Sequence, residues 1–157
     1  MNKIRSFFSF LNTKQFVQLE DRVTKAFSKL PRMPKEIEGL IVSFGPYLVL
    51  LGGILGVLSV LTLFSIGNLA FYPVYVNAVS ILPFYYLTII SSVITGVMMI
   101  VSFSDLQKRT IFGWRLVFWS FTISVITMLI TLNIISAVVS AVVSFYILVS
   151  IKENYNN

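Results

Sequence analysis

The order of apolar and polar positions divides this chain into a short amphipathic lead and a long, almost uncharged remainder. Ile4, Phe7, Phe8 and Leu11 recur at helical spacing, and after Asn12 a second set follows at Phe16, Leu19, Val23, Phe27 and Leu30. Steps of three and four residues put each set on one side of a helix that turns about every 3.6 residues. Asn12 with Gln15 three positions on supplies an N-cap and its capping partner, and Pro31 with Pro34 stops the second stripe. The pattern predicts amphipathic helices over 3–12 and 13–30, then a stiff connector, Leu30-Pro31-Arg32-Met33-Pro34.

Beyond the connector, length replaces periodicity as the signal. Crossing roughly 30 Å of hydrocarbon at about 1.5 Å per residue takes about 20 apolar residues. Residues 41–64, 84–104 and 112–131 meet that requirement, and 134–151 meets it with little room for tilt. Only Leu132 and Asn133 separate the last two runs, which predicts a tight antiparallel hairpin. Pro46 lies one turn inside the first run, where its missing N–H favours a kink. The expected fold class is all-α, an integral membrane four-helix bundle preceded by N-terminal amphipathic cytoplasmic helices. Its expected parts are a cytoplasmic or interfacial segment over 1–38, a transmembrane domain over 39–151 and a cytoplasmic tail over 152–157.

Composition and charge sharpen this picture. A chain of 157 residues with 57% hydrophobic and 11% charged residues is too apolar for a soluble globule. Twelve Lys and Arg against six Asp and Glu give a net charge of +6, yet 39–104 and 116–151 contain no Asp, Glu, Lys, Arg or His. Eight basic residues precede position 39, three lie in 105–115, and the last is Lys152. Short loops keep Lys and Arg on the cytoplasmic side. Four spans with both ends cytoplasmic place all twelve on one side, whereas three or five spans would divide them. Aromatic residues agree with this arrangement. Phe71, Tyr72, Tyr75, Phe84, Tyr85 and Tyr86 gather at the outer edge, and Trp114 and Trp119 lie near the inner one. Lys3, Arg5 and the run Ser6–Leu11 imitate a secretory signal, but the run is too short. Lys14, Glu20, Asp21 and Arg22 follow it in place of a small-residue cleavage site.

Lipid tails are as apolar as leucine, so helices in a bilayer meet through small residues that let backbones approach. Gly52, Gly53, Gly56 and Ser59 make such a strip on the first span, with Gly52 and Gly56 in a G-x-x-x-G pair. Ser92 and Gly96 make one on the second span, and Ser120 and Ser124 on the third. Ser136, Ser140 and Ser144, with Ala137 and Ala141, make one on the fourth. Either these strips meet inside a single bundle, or one of them, on the fourth helix, faces outward to a second copy or another membrane protein.

Candidate chemistry is sparse. The absence of Cys and His removes disulfides, thiolate and imidazole metal ligands and the usual general base. Glu36, Glu38, Asp105 and Glu153 are the acids nearest the bilayer, and none pairs with a base at catalytic spacing. Gly52-Gly53-Ile54-Leu55-Gly56 lacks the Lys and preceding strand of a phosphate loop. Neither catalysis nor a cofactor or metal is expected. Lys108, Arg109, Trp114 and Arg115 surround one cytoplasmic turn, where they either hold a lipid headgroup or act as snorkelling anchors. Lys14, Arg22, Lys25 and Lys29 present the same choice between binding anionic lipid and fixing orientation. Nucleic acid is not expected, because no binding motif accompanies these charges.

Leu30-Pro31-x-x-Pro34, the Gly-rich first span and Lys108-Arg109-x-x-x-Gly113-Trp114 resemble small four-pass membrane proteins of bacteria to which no activity is attached. The resemblance spans most of the chain from about residue 30. It implies a bacterial cytoplasmic (inner) membrane location and argues against an enzyme. The expected role is a non-catalytic accessory or scaffold acting through helix and membrane-surface contacts. The alternative is a small homo-oligomeric passive pore or transporter lined by Ser91, Ser92, Thr95, Ser120, Ser124 and Thr127. Ion-coupled carriage is not expected, since 39–104 and 116–151 hold no Asp, Glu, Lys, Arg or His side chain.

Because the chain has no Cys, single cysteines at Asn77 and Gln107 test the topology directly. The two positions are expected to label from opposite sides of the membrane. An impermeant thiol reagent that modifies both in intact cells would rule out the four-span arrangement.

Overall fold

The structure is a computed structural model that describes residues 8, 11, 13–70 and 82–155. Five α-helices make up most of it: α1 (Lys14–Phe27), α2 (Lys35–Ala70), α3 (Leu82–Gln107), α4 (Ile111–Ile130) and α5 (Ile134–Ile151). A short 3-10 turn, Lys152–Asn154, follows α5. No strand occurs among the described residues. Of the helix expected over 3–12, only Phe8 and Leu11 are described, and both are buried. The rest of that stretch, the expected cap Asn12, and Phe71, Tyr72, Tyr75 and Asn77 lie outside the described residues.

Local chemistry accounts for the helix ends. Extended backbone at Thr13 precedes α1, and the Thr13 carbonyl accepts from the Val17 N–H at 3.1 Å. The helix stops at Phe27, three residues short of Leu30, and Ser28 Oγ donates to the Lys25 carbonyl at 3.0 Å. Helix α2 starts immediately after Pro34, whose carbonyl takes the Glu38 N–H at 3.0 Å. Glu36 and Glu38 in its first turn complement the partial positive charge of a helix N-terminus. This polar turn extends the helix ahead of the apolar run, as a lead-in that starts at Pro34. Pro46 is accommodated inside α2 and buried.

Both short inter-helix turns end their helices in the same way. After α3, the Thr110 N–H reaches the Asp105 carbonyl and the Arg109 N–H reaches that of Leu106, each at 3.0 Å, with Arg109 at φ 54°. After α4, the Asn133 N–H reaches Met128 at 2.9 Å and the Leu132 N–H reaches Leu129 at 3.1 Å, with Leu132 at φ 58°. These are paired six-to-one and five-to-two closures around a left-handed residue, a position that glycine fills at least cost. Here Arg and Leu occupy it. The resulting turns lay α4 antiparallel to α3 and α5 antiparallel to α4.

A close helix crossing joins α2 to α3 through two glycines. A Cβ added at Gly53 would stand 2.9 Å from the Gly96 carbonyl oxygen, and one added at Gly96 would stand 3.1 Å from the Gly53 oxygen. Gly52 and Gly56, the pair that the G-x-x-x-G spacing singles out, are looser. Their nearest neighbours to an added Cβ, Met99 Sδ and Gly96 Cα, lie at 3.9 Å. Gly113 is a second point of close approach, because its Cβ would meet the Leu106 backbone nitrogen at 2.7 Å. Trp114, Leu116, Val117 and Phe118 on α4 form the centre of the core, with Met98, Phe145, Leu148 and Ile151 around them.

Outward from this core the helices are apolar. Leu48, Leu51, Leu55 and Leu58 on α2 and Ile135, Val138, Val139 and Val142 on α5 are all about half exposed or more. Water would not tolerate such continuous apolar faces, whereas hydrocarbon does. Among the described residues, four helical stretches are long and apolar enough to cross a membrane: Lys35–Leu61 within α2, Tyr86–Gln107, Ile111–Ile130 and Ile134–Asn154. The chain is a multi-pass integral membrane protein.

Gly53→Ala forces a methyl group against backbone, which cannot swing aside, and is expected to destabilise by about 1–3 kcal/mol. Gly56→Ala has room and is expected to be mild. Thermal aggregation midpoints in detergent measure the difference, and equal midpoints would place the crossing elsewhere.

Candidate functional site

The most distinctive polar arrangement lies where α1 meets the charged end of the bundle. At about 100° per residue, Phe16, Glu20, Val23 and Phe27 project from one side of α1, so the carboxylate sits within the apolar stripe. Phe16 stands edge-on to Trp119 of α4 at 4.8 Å between ring centroids, and Phe27 meets Phe145 of α5 at 5.9 Å. Docking these rings carries Glu20 inward until only 1% of it remains exposed.

Two cations meet it there. Arg115 Nε, on the second turn of α4, donates to Glu20 Oε2 at 2.9 Å, and Lys152 Nζ, just past α5, reaches Oε1 at 2.8 Å. Lys152 also lies 3.7 Å from Asp21 Oδ1 and 3.4 Å from Thr24 Oγ1, and its ammonium stands 5.0 Å from the Trp114 ring centroid. A carboxylate removed from water needs such partners, since burying an unpaired charge costs several kcal/mol. One carboxylate therefore joins three elements distant in sequence.

The connector after α1 is fastened at the same end. Tyr146 Oη donates to the Pro31 carbonyl at 2.9 Å, Asn154 Nδ2 donates to Glu38 Oε1, and Arg32 pairs with Glu153 at 3.0 Å. The Arg32–Glu153 pair is open to solvent, so it adds little to stability.

The residues singled out from sequence fall into distinct settings. Arg115 is drawn inward onto Glu20, and Trp114 is fully buried, donating from Nε1 to the Leu148 carbonyl at 2.9 Å. That indole meets protein where a headgroup contact was one of the expected readings. Lys14, Arg22 and Lys25 are exposed on the side of α1 away from the bundle, Lys29 is exposed in the turn after it, and Lys108 and Arg109 are exposed at the α3–α4 turn. Gly52, Gly53 and Gly56 face Met99 and Gly96 of α3. Ser92 is half-buried, Ser136 is exposed, and Ser140 and Ser144 line an open groove with Met128, Val139 and Val143. Sequence reasoning passed over Glu20 and Lys152. The signal for Glu20 was present, a single acid four residues after Phe16 and three before Val23.

Most hydroxyls proposed to line a pore are engaged by their own helices. Ser91, Thr95, Ser120, Ser124 and Thr127 donate to carbonyls three or four residues back at 2.8–3.1 Å. Among the described residues no group of His, Cys, Asp and Glu side chains could hold a metal ion. Comparison with protein-family models, curated proteins and solved structures yields no match to the chain.

Glu20→Ala leaves two cations facing an apolar pocket. Removing one partner of a buried pair costs about 3–5 kcal/mol, and partial exposure of Arg115 and Lys152 places the expected loss toward the lower end. Arg32→Ala serves as the exposed comparison and is expected to leave the thermal midpoint almost unchanged. Limited proteolysis between residues 28 and 34 is expected to speed up only in the Glu20 variant. Similar behaviour of both variants would show that the carboxylate does not hold α1.

Proposed function

We propose that this protein is a non-catalytic accessory or scaffold of the bacterial cytoplasmic membrane, with its charged end, both termini and the α3–α4 turn on the cytoplasmic side. It acts through helix contacts and through the surface that α1 presents. The observation that carries this reading is the fastening of α1 by Glu20 to Arg115 and Lys152, which turns the opposite side of the helix outward. Lys14, Arg22 and Lys25 fall within a sector of about 80° on that side, at about 100° per residue. A fixed basic stripe beside the bilayer favours anionic lipid by on the order of 1 kcal/mol for each cation near the surface.

The ionisable groups support the same reading. Glu20, the acid buried in the apolar stripe, has both oxygens occupied by cations and so is not poised as a base. The candidate partners are anionic lipids, a second copy of the chain or another membrane protein; nucleic acid, cofactor and metal have no place in this reading. The pore alternative loses support because five of its six candidate lining hydroxyls are hydrogen-bonded to their own helices.

Reconstitution tests the choice. Liposomes containing the full chain are expected to pass no more ions than protein-free liposomes. They are also expected to bind polyanionic vesicles less well when Lys14, Arg22 and Lys25 are all changed to Glu. Flux that rises with protein content would overturn the scaffold reading in favour of a pore.

A further inference from the structure

An open hollow of about 340 Å³ lies at the charged end of the bundle, on the side where α2 meets α3. Ser43, Pro46 and Tyr47 stand on its α2 wall, and Leu106, Gln107 and Arg109 close it from α3 and the turn that follows. The flanking charges set its depth in the bilayer. Glu38 is the last charged residue before the first span, and Ser43 follows it by five residues, about 7.5 Å of helix at about 1.5 Å per residue. Gln107 ends α3 beside Lys108. Both walls therefore stand where hydrocarbon gives way to headgroups.

The polar part of the lining is rich in donors and holds no acid. Arg109 is exposed, and its guanidinium has no ion pair or hydrogen bond among the described residues. The Ser43 hydroxyl is likewise unengaged, whereas most span hydroxyls donate to their own helix. Tyr47 Oη accepts from Gln107 Nε2 at 3.4 Å, which leaves the phenol proton to give. Away from the charged end the same surface turns apolar. Leu51, Ile54 and Leu58 share a side of α2 with Ser43 and Tyr47, within a sector of about 80° at about 100° per residue, and all three are exposed.

We propose that this hollow holds the phosphodiester headgroup of a membrane phospholipid, with the phosphate on Arg109 and the Ser43 and Tyr47 hydroxyls as further donors. A guanidinium meets phosphate through paired, charge-assisted hydrogen bonds, a geometry that the ammonium of neighbouring Lys108 does not reproduce. The row from Leu51 to Leu58 gives the acyl chains an apolar surface to follow. A soluble phosphate would have no use for that row, and so the ligand is a lipid. The site is separate from the basic stripe of α1, and the inference rests on the membrane setting and not on the scaffold role.

Three substitutions separate binding from folding. Arg109→Gly removes the cation while relaxing the left-handed turn, so the lipid-free fold should be no less stable. Tyr47→Phe keeps the ring that meets Phe103 at 5.6 Å between centroids and removes only the hydroxyl. Lys108→Gln removes an exposed charge next in sequence that does not line the hollow. The full chain in mild detergent is mixed with phosphatidylglycerol or with diacylglycerol, which lacks the phosphate, and retained lipid is counted by native mass spectrometry. Wild type is expected to hold phosphatidylglycerol about tenfold more tightly than diacylglycerol, as one charge-assisted contact allows. Arg109→Gly should lose that preference, Tyr47→Phe should weaken it about threefold, and Lys108→Gln should keep it. Glycerol 3-phosphate in large excess should leave phosphatidylglycerol in place. Equal retention of the two lipids by wild type, an undiminished preference in Arg109→Gly, or an equal loss in Lys108→Gln would overturn the proposal, the last by showing diffuse charge in place of a site. Displacement by glycerol 3-phosphate would overturn the lipid assignment. Ion flux and the α1 charge reversals test the scaffold reading separately, so either proposal can fail alone.

Discussion

Hydrocarbon offers no hydrogen bonds, and that single deficiency decides where every polar group of this protein stands. Backbone groups pair within helices, and span hydroxyls fold back onto carbonyls of their own chain, as Thr95 does onto Ser91. Charges collect at one end, where water begins. The carboxylate of Glu20 is the exception that shows the force of the rule, because it enters an apolar face only with Arg115 and Lys152 in attendance. Remove the bilayer from consideration and neither the outward leucines of α2 nor the crowding of cations at one end has a physical reason.

The same deficiency governs how helices recognise one another. Lipid replaces helix surface with no hydrophobic penalty, so association must come from close packing and from the few polar contacts available. In this chain, backbone meets backbone at Gly53 and Gly96 and again where Gly113 lies against Leu106. At the charged end, where water returns, packing hands over to aromatic contacts and ion pairs. Phe16 against Trp119 and Phe27 against Phe145 seat α1, and the carboxylate fixes its position along the bundle.

The number of spans and the gathering of charge at one end were legible in the sequence, because span length and charge exclusion follow from the solvent alone. Side-by-side relations were less so. Sequence placed Gly53 in one strip with Gly52, Gly56 and Ser59, yet which of these comes nearest the neighbouring backbone is set by the crossing geometry, which brings Gly53 against Gly96. Trp114 and Arg115 read as membrane-edge anchors because a one-dimensional count cannot see that α5 takes the Trp114 indole and that α1 brings Glu20 to Arg115. Helix α2 begins earlier than its apolar run, since Pro34 and the acidic first turn start a helix without regard to hydropathy. Glu20 was the one missed residue whose position already carried a warning, as an acid on the greasy side of a helix needs a cation to come to it.

The Glu20 contact also sets an order of events during biosynthesis. Its carboxylate is translated early, Arg115 comes 95 residues later, and Lys152 emerges only after the last span. At synthesis rates of about 5–20 residues per second, the carboxylate waits on the order of ten seconds for its second cation. Throughout that interval the aromatic stripe of α1 has no finished bundle to rest on. Closure of the clasp thus coincides with completion of the fourth crossing, so a chain stalled before Lys152 would differ from one that has passed it in a feature readable at the bundle's charged end, an undocked greasy helix.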